Sequence, residues 1–113
     1  MATILIVDPD AATRSLLEVL CRRLGHAPVG AVDWIDGAEP DLLLLEPASR
    51  PGMRLARGFR RRFPRLPILC VSIDGPSGET LSLDPVAHVM KPFRRSQLER
   101  ALEQALVPAT ESV

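Results

Sequence analysis

Four apolar runs in this chain each end on side chains that carry charge or a labile proton. Ile4-Leu5-Ile6-Val7 leads to Asp8 and Asp10. Leu42-Leu43-Leu44-Leu45 leads to Glu46, Ile68-Leu69-Cys70-Val71 to Ser72, and Val86-Ala87-His88-Val89-Met90 to Lys91. If these runs are strands of one open α/β sheet, their carboxyl ends gather carboxylates, a hydroxyl and an ammonium at one rim, where such sheets place their chemistry. On its own Glu46 reads by default as a surface carboxylate at a strand end. With Lys91 and Ser72 at matching strand ends, the sharper reading is an internal Glu46–Lys91 ion pair, with Asp8 accepting a hydrogen bond from Lys91 or from nearby backbone. Such a pair either holds the loops in a fixed state or merely neutralises a cavity, and a buried pair is weak evidence for stability. Neither His26 nor His88 stands where the sequence would make it a base for Ser72, so the hydroxyl reads as a hydrogen-bonding group and not a nucleophile.

The elements that must position these groups follow from periodicity and punctuation. Residues 3–7, 27–32, 41–45, 68–72 and 86–90 read as strands, and the lack of alternation in the first implies cover on both faces. Asp10 is a candidate N-cap for a helix in which Leu16, Val19, Leu20 and Leu24 recur, stopped by Gly25. Residues 34–40 leave room for no more than a helical turn, and 47–52 read as a loop. Residues 53–63 form a helix with Leu55, Phe59 and Phe63 on one face and arginines on the other. Residues 74–85, rich in Gly and Pro, read as a loop with at most a broken helix near 79–83. Residues 96–106 form the last helix, and 108–113 a frayed tail. The alternation is (βα)5: an α/β flavodoxin-like fold with a five-stranded parallel sheet, and with the second and fourth helices shortened or irregular. Residues 1–107 make one domain.

Composition narrows the function classes. A hydrophobic content of 46% with 25% charged residues is ordinary for a soluble domain, and the net charge of zero gives no global field towards nucleic acid or membrane. No run approaches a membrane span, and no secretory signal opens the sequence. Cys21 and Cys70 lie in apolar periodic segments without metal-type spacing, as reduced core residues of a cytoplasmic protein. There is no Gly-rich phosphate loop after the first strand and no catalytic dyad, so an enzyme is disfavoured.

In this order the strings resemble the receiver domain of two-component response regulators over essentially the whole length. The resemblance is carried by Ile4-Leu5-Ile6-Val7-Asp8-Pro9-Asp10, Pro40-Asp41-Leu42-Leu43-Leu44-Leu45-Glu46, Pro51-Gly52-Met53, Pro67-Ile68-Leu69-Cys70-Val71-Ser72 and Met90-Lys91-Pro92-Phe93. It implies that Glu46 stands at the phosphoacceptor position, normally aspartate, and that Pro9 replaces one residue of the acidic pair that binds Mg2+. Ser72 and His88 then fall on the switch positions, and Lys91 on the pocket lysine. Asp8 and Asp10 are the residual metal candidates. A longer acceptor and a missing ligand together disturb the in-line geometry of phosphoryl transfer, so Mg2+ binding is expected to be weak or lost and no cofactor is expected.

The implied function is an atypical, phosphorylation-independent receiver that acts through protein–protein interaction in bacterial signalling. The alternative is a receiver with inefficient phosphoacceptance, or with another pocket ligand, regulating an output domain. Partner contact is expected on the last helix (Arg95, Glu99, Arg100) and the fifth-strand edge, with residues 75–83 mobile or folding only on contact. Trp34 is a second interaction candidate, or else a cover for the sheet where the second helix is short. A homodimer is left open. The arginines of 54–65 read as a solvated helix face that could also dock an acidic partner or RNA, and the lack of interleaved exposed aromatics or a nucleic-acid motif ranks nucleic acid low for this domain itself.

Overall fold

The computed structural model describes residues 1–107, and the tail expected over 108–113 lies outside the described residues. Ile4, Leu5 and Ile6 are each 0% exposed, as a run without alternation requires when both faces of a sheet are covered. They belong to β1 (Thr3–Val7), the second strand of a five-stranded sheet with β2 (Ala27–Gly30), β3 (Leu42–Leu45), β4 (Ile68–Ser72) and β5 (Ala87–Met90). The order is β2-β1-β3-β4-β5 and every neighbouring pair is parallel. The chain adds β2 on one side of β1 and β3 on the other. This reversal leaves a crevice between the carboxyl ends of β1 and β3. Val7 pairs with Leu45, so Asp8 and Glu46 leave the sheet side by side.

One face is covered by α1 (Ala11–Arg23) and α4 (Arg95–Ala105), which bury Leu17, Leu20, Cys21, Leu98 and Leu102 against Ile4, Ile6, Leu42 and Leu44. The expected stripe of α1 is displaced. Leu16 and Val19 are 49% and 45% exposed, because the helix is apolar at both 16/19 and 17/20/21 and the sheet takes the second set. Leu20 is buried as expected, and Leu24 packs at the margin of this cluster. Gly25 closes the helix at φ 85°, a conformation that favours glycine.

The other face is covered by α2 (Arg50–Arg62) and the single turn α3 (Gly78–Leu81). The first begins inside the expected loop. Ser49 Oγ accepts from Gly52 N at 3.2 Å, and Pro51 is compatible with a first helical turn. A Cβ on Gly52 would come within 3.3 Å of Leu45, Ser49 and Val7, so glycine lets that turn lie against β1 and β3. The buried face of α2 is Met53 and Ala56, with Phe59 and Phe63 half-buried beside them. Leu55, expected on the apolar face, is 37% exposed at its edge. Arg60 is not part of a solvated face: its Nε donates to the Leu83 carbonyl and its Nη1 to the Pro64 carbonyl, both at 2.9 Å.

β2 and β3 are both shorter than expected. β2 stops at Gly30, where a 3-10 turn, Ala31–Asp33, takes over. β3 begins one residue late because Asp41 Oδ2 accepts from Thr3 N at 2.7 Å and ties the strand's approach to β1. The segment 75–83, expected to be mobile or to fold only on contact, is anchored at its second half: Thr80 and Leu83 are 4% and 2% exposed, residues 75–79 are exposed, and Ser77 and Thr80 cap each other across α3. The crossover from β2 to β3 carries no α-helix. Among the described residues no helix is long and apolar enough to cross a membrane.

Candidate functional site

The strand-end rim does converge. Asp8 is 6% exposed and Glu46 8%. Lys91 Nζ reaches both, donating to Asp8 Oδ2 at 2.8 Å and to Glu46 Oε1 at 3.4 Å. Burial works against the Lys91 charge, yet the hydrogen bond and charge of Asp8, with the charge of Glu46, outweigh it and raise the lysine pKa. Asp8 is the better-held carboxylate: its Oδ1 also accepts from Asp10 N at 2.8 Å. Glu46 Oε2 has only a long contact to Ala48 N, at 3.5 Å.

The other rim residues turn away from this pair. Asp10 caps α1, accepting from Thr13 N at 3.0 Å and Thr13 Oγ1 at 2.5 Å. Those hydrogen bonds hold its carboxyl below the usual carboxylate range. Pro9 is exposed and has no oxygen on its side chain. Ser72 is buried, but its Oγ accepts from Asp74 N at 3.3 Å, while its carbonyl accepts from Lys91 N at 2.8 Å. His88 Nε2 donates to the Asp74 carbonyl at 2.7 Å, which ties β5 to the loop after β4. The His88 Nδ1 is buried without a hydrogen-bond partner among the described residues.

The residue set does not fit octahedral Mg2+. Both oxygens of Asp8 are engaged, Pro9 supplies none, and Asp10 faces Thr13. Among the described residues no three His, Cys, Asp or Glu side chains gather as a metal-binding group, whereas Mg2+ demands near-ideal oxygen ligation.

The interaction candidates lie elsewhere. Arg95 Nε donates to Glu99 Oε1 at 2.6 Å along α4, so its charge is already engaged, and Arg100 is exposed. Trp34 is half-buried over the second core cluster and donates its Nε1–H to the Ala38 carbonyl at 3.1 Å. It covers the sheet where the crossover helix is missing. Sequence reasoning missed Arg14, whose Nη1 donates to the Asp8 carbonyl at 2.8 Å. Its position one turn after the Asp10 cap was the available signal.

No protein-family model and no curated protein matches the sequence. Solved structures do match. NtrX from Brucella abortus in complex with ADP is similar over 93% of this chain, with 25% identity and a TM-score of 0.79, and this chain spans 26% of NtrX. A CheY-like response regulator receiver domain protein from Methanospirillum hungatei matches over 94% of both chains, at 19% identity and TM-score 0.81. The chemotaxis protein CheY4 of Vibrio cholerae matches over 94% of this chain and 99% of its own, at 19% identity and TM-score 0.82. With the same parallel sheet wound in the same way along nearly all of its length, the chain has the fold of a response-regulator receiver domain.

Proposed function

We propose that this chain is a receiver-like signalling module whose working conformation does not depend on phosphate and is read by a protein partner in bacterial two-component signalling. The observation that carries this reading is the Lys91 bridge between Asp8 and Glu46. Through the resemblance, Glu46 stands at the acceptor position and Lys91 at the lysine that would meet a phosphoryl group. Here the ammonium is already held by both carboxylates, so it is engaged without a phosphoryl group. Pro9 removes a metal ligand from the same crevice, and phosphoryl transfer without its metal loses most of its charge stabilisation. The pair therefore serves as a fixed strut between β1, β3 and β5, not as a reaction centre. Fold alone establishes no activity; the support comes from the residues in the crevice.

Incubation with acetyl phosphate and Mg2+ followed by intact mass measurement tests the reading. The expected product is the unmodified chain. A stoichiometric, base-labile phosphate adduct at Glu46 would overturn it in favour of a phosphate-accepting regulator.

A further inference from the structure

A groove of about 300 Å3 lies between α2 and the loop that stands in place of the missing crossover helix. Trp34, Leu55 and Phe59 supply its apolar surface, and Val32 and Ile35, beside it in the chain, are 98% and 77% exposed. In a doubly wound fold this strip of sheet belongs under a helix. Gly58 sits in the interior of α2 and lines the groove. An added Cβ there meets nothing within 4 Å, so no packing requires glycine at a position where it weakens a helix. Its effect is to leave the groove open. Arg54 and Arg62 stand on the rim, and neither has a carboxylate within salt-bridge distance among the described residues. Arg62 lies over the Phe63 ring at 5.5 Å and reaches towards Gly37 across the groove. Asp36 is the one acid on the lining.

We infer that this groove docks an acidic amphipathic helix of a partner protein, laid where the crossover helix of the fold would run. The inference rests on the reading of the domain as an interaction module and names its surface. Helix-in-groove recognition needs an apolar floor for anchors spaced by a helical turn. Trp34, Leu55 and Phe59 provide that floor, and aromatic and arginine side chains are the types that dominate binding energy. The two rim arginines select acids on the helix flanks and reject bases. Leu55 in the floor offers an aliphatic anchor site and no stacking face, which favours a helix over a nucleic-acid strand.

Trp34 is the single tryptophan of the chain, so its emission reports on the groove directly. The full chain is titrated with a synthetic helical peptide of about 15 residues, with leucines at i, i+3, i+4 and i+7 and glutamates elsewhere. The expected result is a saturable blue shift of Trp34 emission, with amide shifts centred on Gly37, Leu55 and Gly58. Joint Arg54→Glu and Arg62→Glu replacement should weaken binding about tenfold or more. Gly58→Leu should fill the groove and abolish binding while the chain still melts cooperatively, and Arg23→Glu on the opposite face should change nothing. A peptide with lysines for glutamates, or with its leucines shuffled off one face, should not bind.

The inference is overturned if the acidic peptide gives no saturable response, if the lysine or shuffled peptide responds equally, or if Gly58→Leu binds as well as wild type. It is also overturned if concentrating the chain alone gives the same Trp34 shift together with a dimer in sedimentation, which would make the occupant a second copy. A single-stranded oligonucleotide that reproduces the shift and competes with the peptide overturns it in favour of nucleic acid. Failure of peptide binding leaves the phosphate test untouched, and a phosphate adduct at Glu46 sinks the module reading whatever the peptide does.

Discussion

The Lys91 ammonium is held more tightly by Asp8 than by Glu46, at 2.8 Å against 3.4 Å. Asp8 is also the more enclosed carboxylate, with 3% of its side chain exposed against 10% for Glu46. The acid that resembles a metal ligand is thus the principal partner of the lysine, and the acid at the acceptor position is the secondary one.

Asp8→Asn should therefore cost more than Glu46→Gln. Removing Asp8 takes the short charge-assisted bond from a mostly buried ammonium, a loss of about 2–3 kcal/mol with Glu46 left as partial compensation. Removing the charge of Glu46 leaves the Asp8 bond intact and should cost about 1 kcal/mol. Urea melts at neutral pH with an unchanged m-value measure both. The reverse ranking would show that Glu46 is the main anchor.

Alkaline stability should be governed by the thiols. Cys21 and Cys70 are both 0% exposed, and burial pushes each pKa from 9.0 up to about 11. A group with a raised folded-state pKa contributes its full stability below the unfolded value and loses it as pH climbs through the folded one. The loss therefore runs from about pH 9 to 11, at up to about 1.4 kcal/mol per pH unit for each thiol. The chain has no tyrosine, and Lys91, also raised, adds its loss only above its ordinary value of 10.5. Cys21→Ala and Cys70→Ala should each flatten the fall in stability over this window, whatever they cost at pH 7. Slopes identical to wild type in both variants would show that the thiols do not titrate with unfolding.

The strands and the convergent rim were legible because each has a local signal: an unbroken apolar run for β1 and β3, and a polar residue at its exit. The Lys91 bridge was legible for the same reason, since a parallel sheet brings every strand exit to one edge. The burial of α1 was not, because Leu16 and Val19 share with Leu17, Leu20 and Cys21 a helical spacing that only the sheet can choose between. The early start of α2 was hidden by Pro51 and Gly52, which usually mark loops yet suit a first turn packed against β3. The role of Arg60 was invisible, since its partners are backbone carbonyls that carry no sequence identity.

Restoring aspartate at the acceptor position alone should not restore phosphate transfer. Glu46→Asp shortens the side chain, but Pro9 still offers no metal ligand and both oxygens of Asp8 remain engaged. Calorimetry on the unaltered chain should accordingly find no saturable Mg2+ binding in the sub-millimolar range. The double change Glu46→Asp with Pro9→Asp supplies both a second acid and a properly placed nucleophile. With acetyl phosphate and Mg2+, intact mass should show an adduct for the double variant and none for the single one. An adduct on the Glu46→Asp chain would show that Pro9 is no obstacle. Strong Mg2+ binding that vanishes in Asp8→Ala would show that the acid pair is still functional.

The connection between β4 and β5 offers the sharpest contrast between composition and packing. Gly75, Pro76 and Gly78 argue for a loose segment, yet Leu83 inserts into the cluster with Leu66 and Ile68, and Arg60 holds its carbonyl. Two leucines two residues apart then have opposite fates: Leu83 is 2% exposed and Leu81 62%. Leu83→Ala should cost about 2–4 kcal/mol, as truncation of a fully buried leucine does when its site cannot collapse. Leu81→Ala should change stability by less than about 0.5 kcal/mol. Hydrogen exchange should agree, because the Leu83 and Asp84 amides donate to the Thr80 and Leu81 carbonyls at 3.1 and 3.0 Å and open only when the anchor leaves the core. Equal small effects for the two leucines, with rapid exchange at both amides, would mean that the segment is loose after all and that the Gly and Pro content outweighs its one anchor.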